Sequence, residues 1–300
     1  MQSPSINTML KIKSNIFLCC IFFAVQLRAQ SLLKEVEDSV PVTEKVTGAY
    51  KSTRVIYQHS TEMLHKGDLD LRIMHRFGFI SDGIGEFYGL DNAAFRLSFD
   101  YGITDNTTVG IGRSTFRKEL DIFIKQRIIQ QTTGAKSIPV SVVIAAGGGL
   151  WTEQSFAPTK PGFIDRSSYY VQVIVGRKFS SIFSFQISPI IIHSVTPVDI
   201  GNDKDIFALG GGARLKISKR MAITMDYHHP FGALSANTYD PIGIGLDIET
   251  GGHVFQLQFS NATGMNERAY ITQTTGNFFK GDIRFGFNIS RIFKLGKHKK

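Results

Sequence analysis

From Asp68 onward, apolar and polar residues alternate along the chain with a period of two. In Leu69-Asp70-Leu71-Arg72-Ile73 the odd positions are apolar and the even ones charged. Phe95, Leu97, Phe99 and Tyr101 alternate with Arg96, Ser98 and Asp100, and Met221, Ile223, Met225 and Tyr227 alternate with Ala222, Thr224, Asp226 and His228. The same rhythm runs through Phe255–Ser260 and Ile283–Ser290. A period of two sends successive side chains to opposite faces of a strand. A soluble sandwich alternates as well, so the character of the two faces carries more weight. One face is large and lipid-compatible along its length, while the other holds small and charged residues, as the lumen side of a transmembrane β-barrel does. Tyr101, Tyr169, Tyr227 and Phe293 end apolar rows, where interfacial aromatic girdles belong. Past the leader no stretch holds as many as about 18 continuous apolar residues, which excludes a helical span.

Strands are expected to start near residues 69, 93, 107, 118, 139, 167, 182, 206, 221, 242, 253 and 282. The links after the second, sixth, eighth and tenth are short, and those near 79–92, 152–166, 194–205, 230–241 and 261–281 are long. Short turns alternating with long loops are the signature of an outer-membrane barrel, with the turns in the periplasm. The link after the third strand is short for an outer loop, and residues 131–138 are long for a turn. The expected fold is therefore all-β, an antiparallel transmembrane barrel of about twelve strands over residues 67–294.

The N-terminal region reads differently. Lys11 and Lys13 precede a short apolar run, Ile16 to Val25, and Ala29 offers a cleavage site, so residues 1–30 read as a secretory signal peptide. Residues 31–66 are polar and mixed and read as a periplasmic lead-in or plug, with Arg54–Leu64 fitting either a strand or part of a plug. Residues 295–300 form a basic tail.

Composition adds little more. Both cysteines, Cys19 and Cys20, fall in the leader, so the exported part has no disulfide or thiol chemistry. The formal charge of +9 drops to about +6 without the three basic leader residues. No zinc-finger, RNP or helix-turn-helix pattern accompanies that surplus, so no nucleic-acid partner is expected. The Gly147-Gly148-Gly149 and Gly210-Gly211-Gly212 runs lack the Lys-Ser/Thr of a phosphate loop and read as close-approach positions within strands.

Several segments resemble a known family. They include Lys51–Ile56, His75–Gly78, Asp100–Asp105, Val109–Ser114, Asp247–Leu257 and Gly281–Arg291. They are similar to the Bacteroidetes outer-membrane β-barrel family of unknown function, domain of unknown function 5777, over roughly residues 50 to 294. The resemblance implies an outer-membrane barrel and carries over no catalytic residues. The last strand, with Ile283, Phe285, Phe287, Ile289 and Phe293 in one phase, resembles the aromatic-ended strands that barrel-assembly machinery recognises, so that machinery and outer-membrane lipid are the expected partners.

The expected lumen-lining residues are Asp70, Arg72, Arg76, Arg96, Asp100, Lys125, Arg127, Asp226, His228 and Arg284. They fit either a polar conduit or an interior filled with ion pairs, since buried charges require partners. His75, His193, His228 and His229 fall near one rim, and His193, His228 and His229 are weak metal candidates without diagnostic spacing. Asp226 and His228 share a face, inviting an acid/base pair, but strand neighbours two apart sit about 6–7 Å from each other. No nucleophile elbow is present, so no enzyme and no cofactor are expected. The functional expectation is a pore or binding protein for a small solute. The alternative is a structural or partner-docking barrel whose loop 261–281, with Asn277, Phe278 and Phe279, meets another envelope protein. An outer-membrane enzyme is third.

Overall fold

Twelve antiparallel strands pair in sequence order and close when the last meets the first. The computed structural model describes residues 42–153, 162–195 and 201–295. The leader, all of residues 31–41 and the basic tail after Leu295 lie outside the described residues. Residues 42–44 and 134–136 belong to a separate small unit, in which the Lys136 amide donates to Thr43 Oγ1 at 3.1 Å. Everything below concerns the larger unit.

The strands are β1 Asp68–Phe79, β2 Ala93–Thr104, β3 Thr107–Ser114, β4 Glu119–Ile129, β5 Ser141–Trp151 and β6 Ser167–Lys178. They continue as β7 Phe183–Ser194, β8 Asp205–Lys216, β9 Met221–Phe231, β10 Ile242–Thr250, β11 His253–Ser260 and β12 Arg284–Lys294. Each begins within two residues of its expected start. The periodicity fixes these positions because a one-residue slip would turn every greasy side chain inward. The doubtful third link is a tight 3₁₀ turn, Phe116–Lys118, in which Arg117 and Lys118 take left-handed φ values of 53° and 46°. The long link after β4 closes on itself through a Thr132–Ile138 bridge.

Closure satisfies every strand edge, which is what a sheet needs in a medium without water. The outer face is apolar around the circumference. Phe99, Ile111, Ile122, Val171, Ile191, Leu209, Met225 and Phe259 all stand exposed on it. An apolar belt this extensive exceeds any patch a water-soluble monomer tolerates. Rings stack along it at the β1–β12 seam, His75 on Phe287 at 5.0 Å and Phe77 on Phe285 at 5.8 Å. Tyr101, Tyr169 and Tyr227 are outward and exposed, at the ends of their rows.

The inner face departs from expectation. It is not confined to small and charged residues, for Met74, Tyr170, Ile174, Ile190, Ile192 and Ile206 also point inward and are buried. The reason is that the lumen is filled by the chain itself. Residues 50–66 enter from the short-turn end as a tight hairpin, with the Val55 amide bonded to the Gln58 carbonyl at 2.9 Å and an Arg54–His59 bridge. From the long-loop end, residues 261–275 fold inward and carry a short helix, α1 (Glu267–Thr272), whose six residues are all buried. Of the long link expected at 261–281, only the part around Asn277, Phe278 and Phe279 lies at the outer end. Asn277 and Phe278 lie half-buried at its outer tip, beside Phe279, which is 88% exposed. The first part of the loop is an inner plug because its apolar residues, Ala262, Tyr270 and Ile271, find a dry core inside the barrel.

Candidate functional site: the filled lumen and its mouth

The two inserted segments meet near the barrel centre. Tyr57 of the hairpin stacks on Tyr270 of α1 with ring centroids 5.2 Å apart. Beside this stack Arg54 donates to Glu267 Oε1 at 2.7 Å, with both side chains buried. Tyr57 also bonds Ser260 on β11 through its hydroxyl.

The strands hold the hairpin largely through its backbone. Asp226 on β9 is the principal anchor, and its Oδ2 accepts from the amides of Ile56, Tyr57 and Gln58 at 3.1, 2.9 and 3.1 Å. Gln58 Nε2 donates to the other oxygen at 2.9 Å. Successive amides converging on one carboxylate form an anion-binding nest, with the strand supplying the anion. Asn288 on β12 donates to the Ile56 carbonyl at 3.3 Å, and Gln256 on β11 donates to that of Val55 at 2.6 Å. Lys125 on β4 donates to the carbonyls of Thr53 and Glu62 at 3.2 and 2.6 Å. A loop lying in a dry interior must satisfy its backbone groups, and these strand side chains do so.

The sequence-derived lumen residues divide between this task and ion pairing. Arg72 donates to Asp70 at 2.7 Å and to the Ser52 and Thr53 hydroxyls of the hairpin at 2.8 and 2.7 Å. Arg96 forms a two-pronged pair with Asp121 across β2 and β4, its Nε 2.9 Å from Oδ1. Arg76 donates to Asn288 at 2.9 Å and covers the Tyr57 ring at 5.2 Å. Asp100, buried opposite Asp70 in register, has one oxygen, Oδ1, without a hydrogen-bond partner. Arg127 and Arg284 lie nearer the ends and are only partly buried. Arg127 reaches the Thr61 carbonyl at 3.2 Å, and Arg284 lies over the Phe79 ring.

Asp226 and His228 approach closer than their Cα spacing implies, with His228 Nδ1 3.4 Å from Asp226 Oδ1. The carboxylate is already engaged by three amides and an amide side chain, and His228 Nε2 faces the Tyr270 hydroxyl at 3.4 Å. The metal candidates do not converge. His228 is buried inside, whereas His193 and His229 face outward and pair with Asp205 at 2.7 Å and Asp240 at 2.9 Å. Among the described residues no group of three or more metal-ligating side chains occurs.

The first glycine run lies against neighbouring strands, with Tyr170 beside Gly147 and Glu119 beside Gly149, while Gly212 of the second makes room for the plug. A Cβ on Gly212 would press on Gln58 and Gln186 at 3.1 Å, and the Gly212 carbonyl accepts from the Tyr50 hydroxyl at 2.9 Å. Sequence reasoning read these glycines as close-approach positions without identifying what approaches. It also missed Glu267, Arg268 and Tyr270, because a six-residue helix in a polar loop leaves no readable periodicity.

At the short-turn mouth, beneath the hairpin, a chamber of about 430 Å³ opens to solvent. Its walls include Tyr50, Ser52, Glu62, Asp68, Asp70 and Glu249.

Comparison with known proteins gives one decisive match. A family model described as a membrane bound beta barrel domain, DUF5777, matches residues 50–293. The chain belongs to that family. The match begins at Tyr50, where the inserted hairpin begins, so hairpin and barrel fall within one family domain. Among curated proteins none matches the sequence. Solved structures with a similar fold include the NanC porin (10% identity, TM-score 0.46, 76% of this chain and 100% of that one). They also include the KdgM porin (9%, 0.43, 75% and 99%) and the outer membrane phospholipase A of Escherichia coli (11%, 0.39, 76% and 94%).

Proposed function

We propose that this chain is an outer-membrane barrel held closed at rest by its own hairpin and inner loop, and that it binds a small solute rather than conducting freely. One observation carries the reading. Side chains facing inward at mid-barrel, among them Met74, Arg96, Gln172, Ile174, Ile190 and His228, have no exposure to water. A water-filled conduit would leave such residues wet. The apolar belt supports an outer-membrane setting, since closed barrels are the strand solution to that bilayer. The mouth chamber supports solute binding, being a concavity of the size small-molecule sites have. The carboxylate that would serve a catalytic base, Asp226, is engaged as a backbone anchor, which supports a non-enzymatic role.

A second reading, a barrel that docks an envelope protein, draws on the long loops. Phe87 and Tyr88 are exposed there with left-handed φ values of 43° and 57°. Strain of that kind is retained where a surface is used. Planar-bilayer recording on the purified protein tests the proposal. The expected result is silence from the unaltered protein and stepwise openings once the hairpin is loosened by Asp226→Ala. Steady openings from the unaltered protein would overturn it.

A further inference from the structure

The mouth chamber is walled by four carboxylates, and three of them are accounted for. Asp70 accepts from Arg72 at 2.7 Å and from Ser290 at 2.6 Å. Glu249 pairs with Lys51, and Glu62 Oε1 accepts from the Ala49 amide at 2.7 Å. Asp68 is different. It is 5% exposed, it lines the chamber, and among the described residues its carboxylate has neither a hydrogen-bond partner nor an ion-pair partner. The residue opposite it in register, Lys294, is exposed at the rim and makes no ion pair with it. One strand over and deeper in the lumen, Asp100 Oδ1 is buried without a partner, whereas the Asp68 carboxylate faces the open chamber.

The Asp68 carboxylate borders a chamber open to solvent, so a cation arriving from outside can reach it without crossing packed protein. Lys51 and Lys294 line the same chamber, and Lys51 is engaged by Glu249. The chamber holds roughly a dozen waters at ~30 Å³ each, enough for a compact organic solute. Gly251 and Gly252, which carry no side chain into the opening, also line it, and a Cβ on either would meet nothing within 4 Å. Apolar walls from Leu64, Val254 and Ile292 lie beside the carboxylates.

We infer that the short-turn mouth is a binding site for a small amine-bearing solute, whose ammonium pairs with Asp68 and whose carbon chain lies against Leu64 and Ile292. The inference rests on the binding-barrel reading above and supplies its ligand class. Ser52 and Ser290, already hydrogen-bonded at the chamber wall, position Arg72 and Asp70 so that Asp68 stands as the free acceptor.

Titration calorimetry on the full chain in detergent tests this, with 1,5-diaminopentane as the cationic probe and glutarate as its anionic counterpart. The expected result is saturable diamine binding at one site, no glutarate binding, and an affinity weakened at least tenfold in Asp68→Asn. Asp68→Glu should restore most of it, which separates a binding role from a folding one. Diamine binding that is absent, that is unchanged in Asp68→Asn, or that is matched by glutarate overturns the inference. A barrel that stays electrically silent yet binds no amine defeats this inference alone, whereas spontaneous openings defeat the closed-barrel reading.

Discussion

Replacing Asp226 by alanine is the most informative perturbation of the closed state. Its carboxylate is the shared acceptor for the amides of Ile56, Tyr57 and Gln58, at 2.9–3.1 Å. Alanine leaves three backbone donors and the Gln58 amide facing a dry wall. Each buried donor left without an acceptor costs about 1–3 kcal/mol, and local relaxation recovers some of it. A net penalty of about 4 kcal/mol on the inserted hairpin follows. At 1.4 kcal/mol per factor of ten, the population with the hairpin withdrawn rises about a thousandfold. The strand ladders on either side of Asp226, to Gly212 on β8 and Gly243 on β10, use backbone groups and stay intact. The barrel should therefore remain folded while the plug loosens. Hydrogen exchange read on peptides spanning residues 53–62 should accelerate by about that factor, with exchange in β9 and β10 unchanged. Asp226→Asn, which keeps an acceptor oxygen but loses the charge, should fall between the two. Unaltered protection of 53–62 in the alanine variant would refute the anchoring argument.

Three further outcomes follow from the same geometry. Glu267→Gln removes the partner of buried Arg54, which costs about 3–5 kcal/mol. Exchange in α1 and in residues 54–58 should rise together, and adding Arg54→Ala should cost less than the sum of the single changes. Ile191→Arg puts a charge on the lipid face, and urea unfolding in vesicles should show a loss of about 2–4 kcal/mol. The same arginine at an exposed loop tip should change little. At the short turn after β2, the Lys66 amide donates to Asp105 at 3.0 Å and, with His65 nearby, holds this exposed carboxyl below its ordinary range. The depressed value means the turn gains from ionised Asp105 above the unfolded pKa and loses that gain as pH falls through the folded one. A carbon-detected NMR titration should place the Asp105 midpoint below about 3.9, and a midpoint at or above that value would contradict the contact.

The strands were legible because lipid-facing positions obey one strict rule. Phe95, Leu97, Phe99 and Tyr101 must all face one way or the β2 backbone cannot sit in the sheet. The interior obeys no such rule. Ile174, Ile190 and Ile192 are inner residues whose apolar character reflects what packs against them, and their partners are distant in sequence. Tyr57 meets Tyr270, and Arg54 meets Glu267, across more than 200 residues of chain. Nothing in either local pattern announces those meetings. Asp226 illustrates the same limit, since its position opposite Gly212 follows from the register. That it faces three amides of residues 56–58 follows only from the fold of the hairpin. The inward fold of loop 261–281 was not legible because length and polarity are shared by loops that project outward and loops that fold inward. Its Ala269-Tyr270-Ile271 core was the one local hint of burial.

Adjacent positions on β7 offer the most direct test of a barrel that is greasy outside and filled within. Ile190 is 0% exposed and faces the lumen, and Ile191 is 57% exposed and faces outward. Single cysteines at each, with Cys19 and Cys20 replaced by serine, can be challenged in vesicles with a charged, membrane-impermeant thiol reagent and with an apolar, bilayer-dissolved maleimide. The expected result is that the maleimide modifies only position 191 and the charged reagent modifies neither. Rapid modification of position 190 by the charged reagent would mean that water reaches mid-barrel, and the closed-lumen account would be wrong.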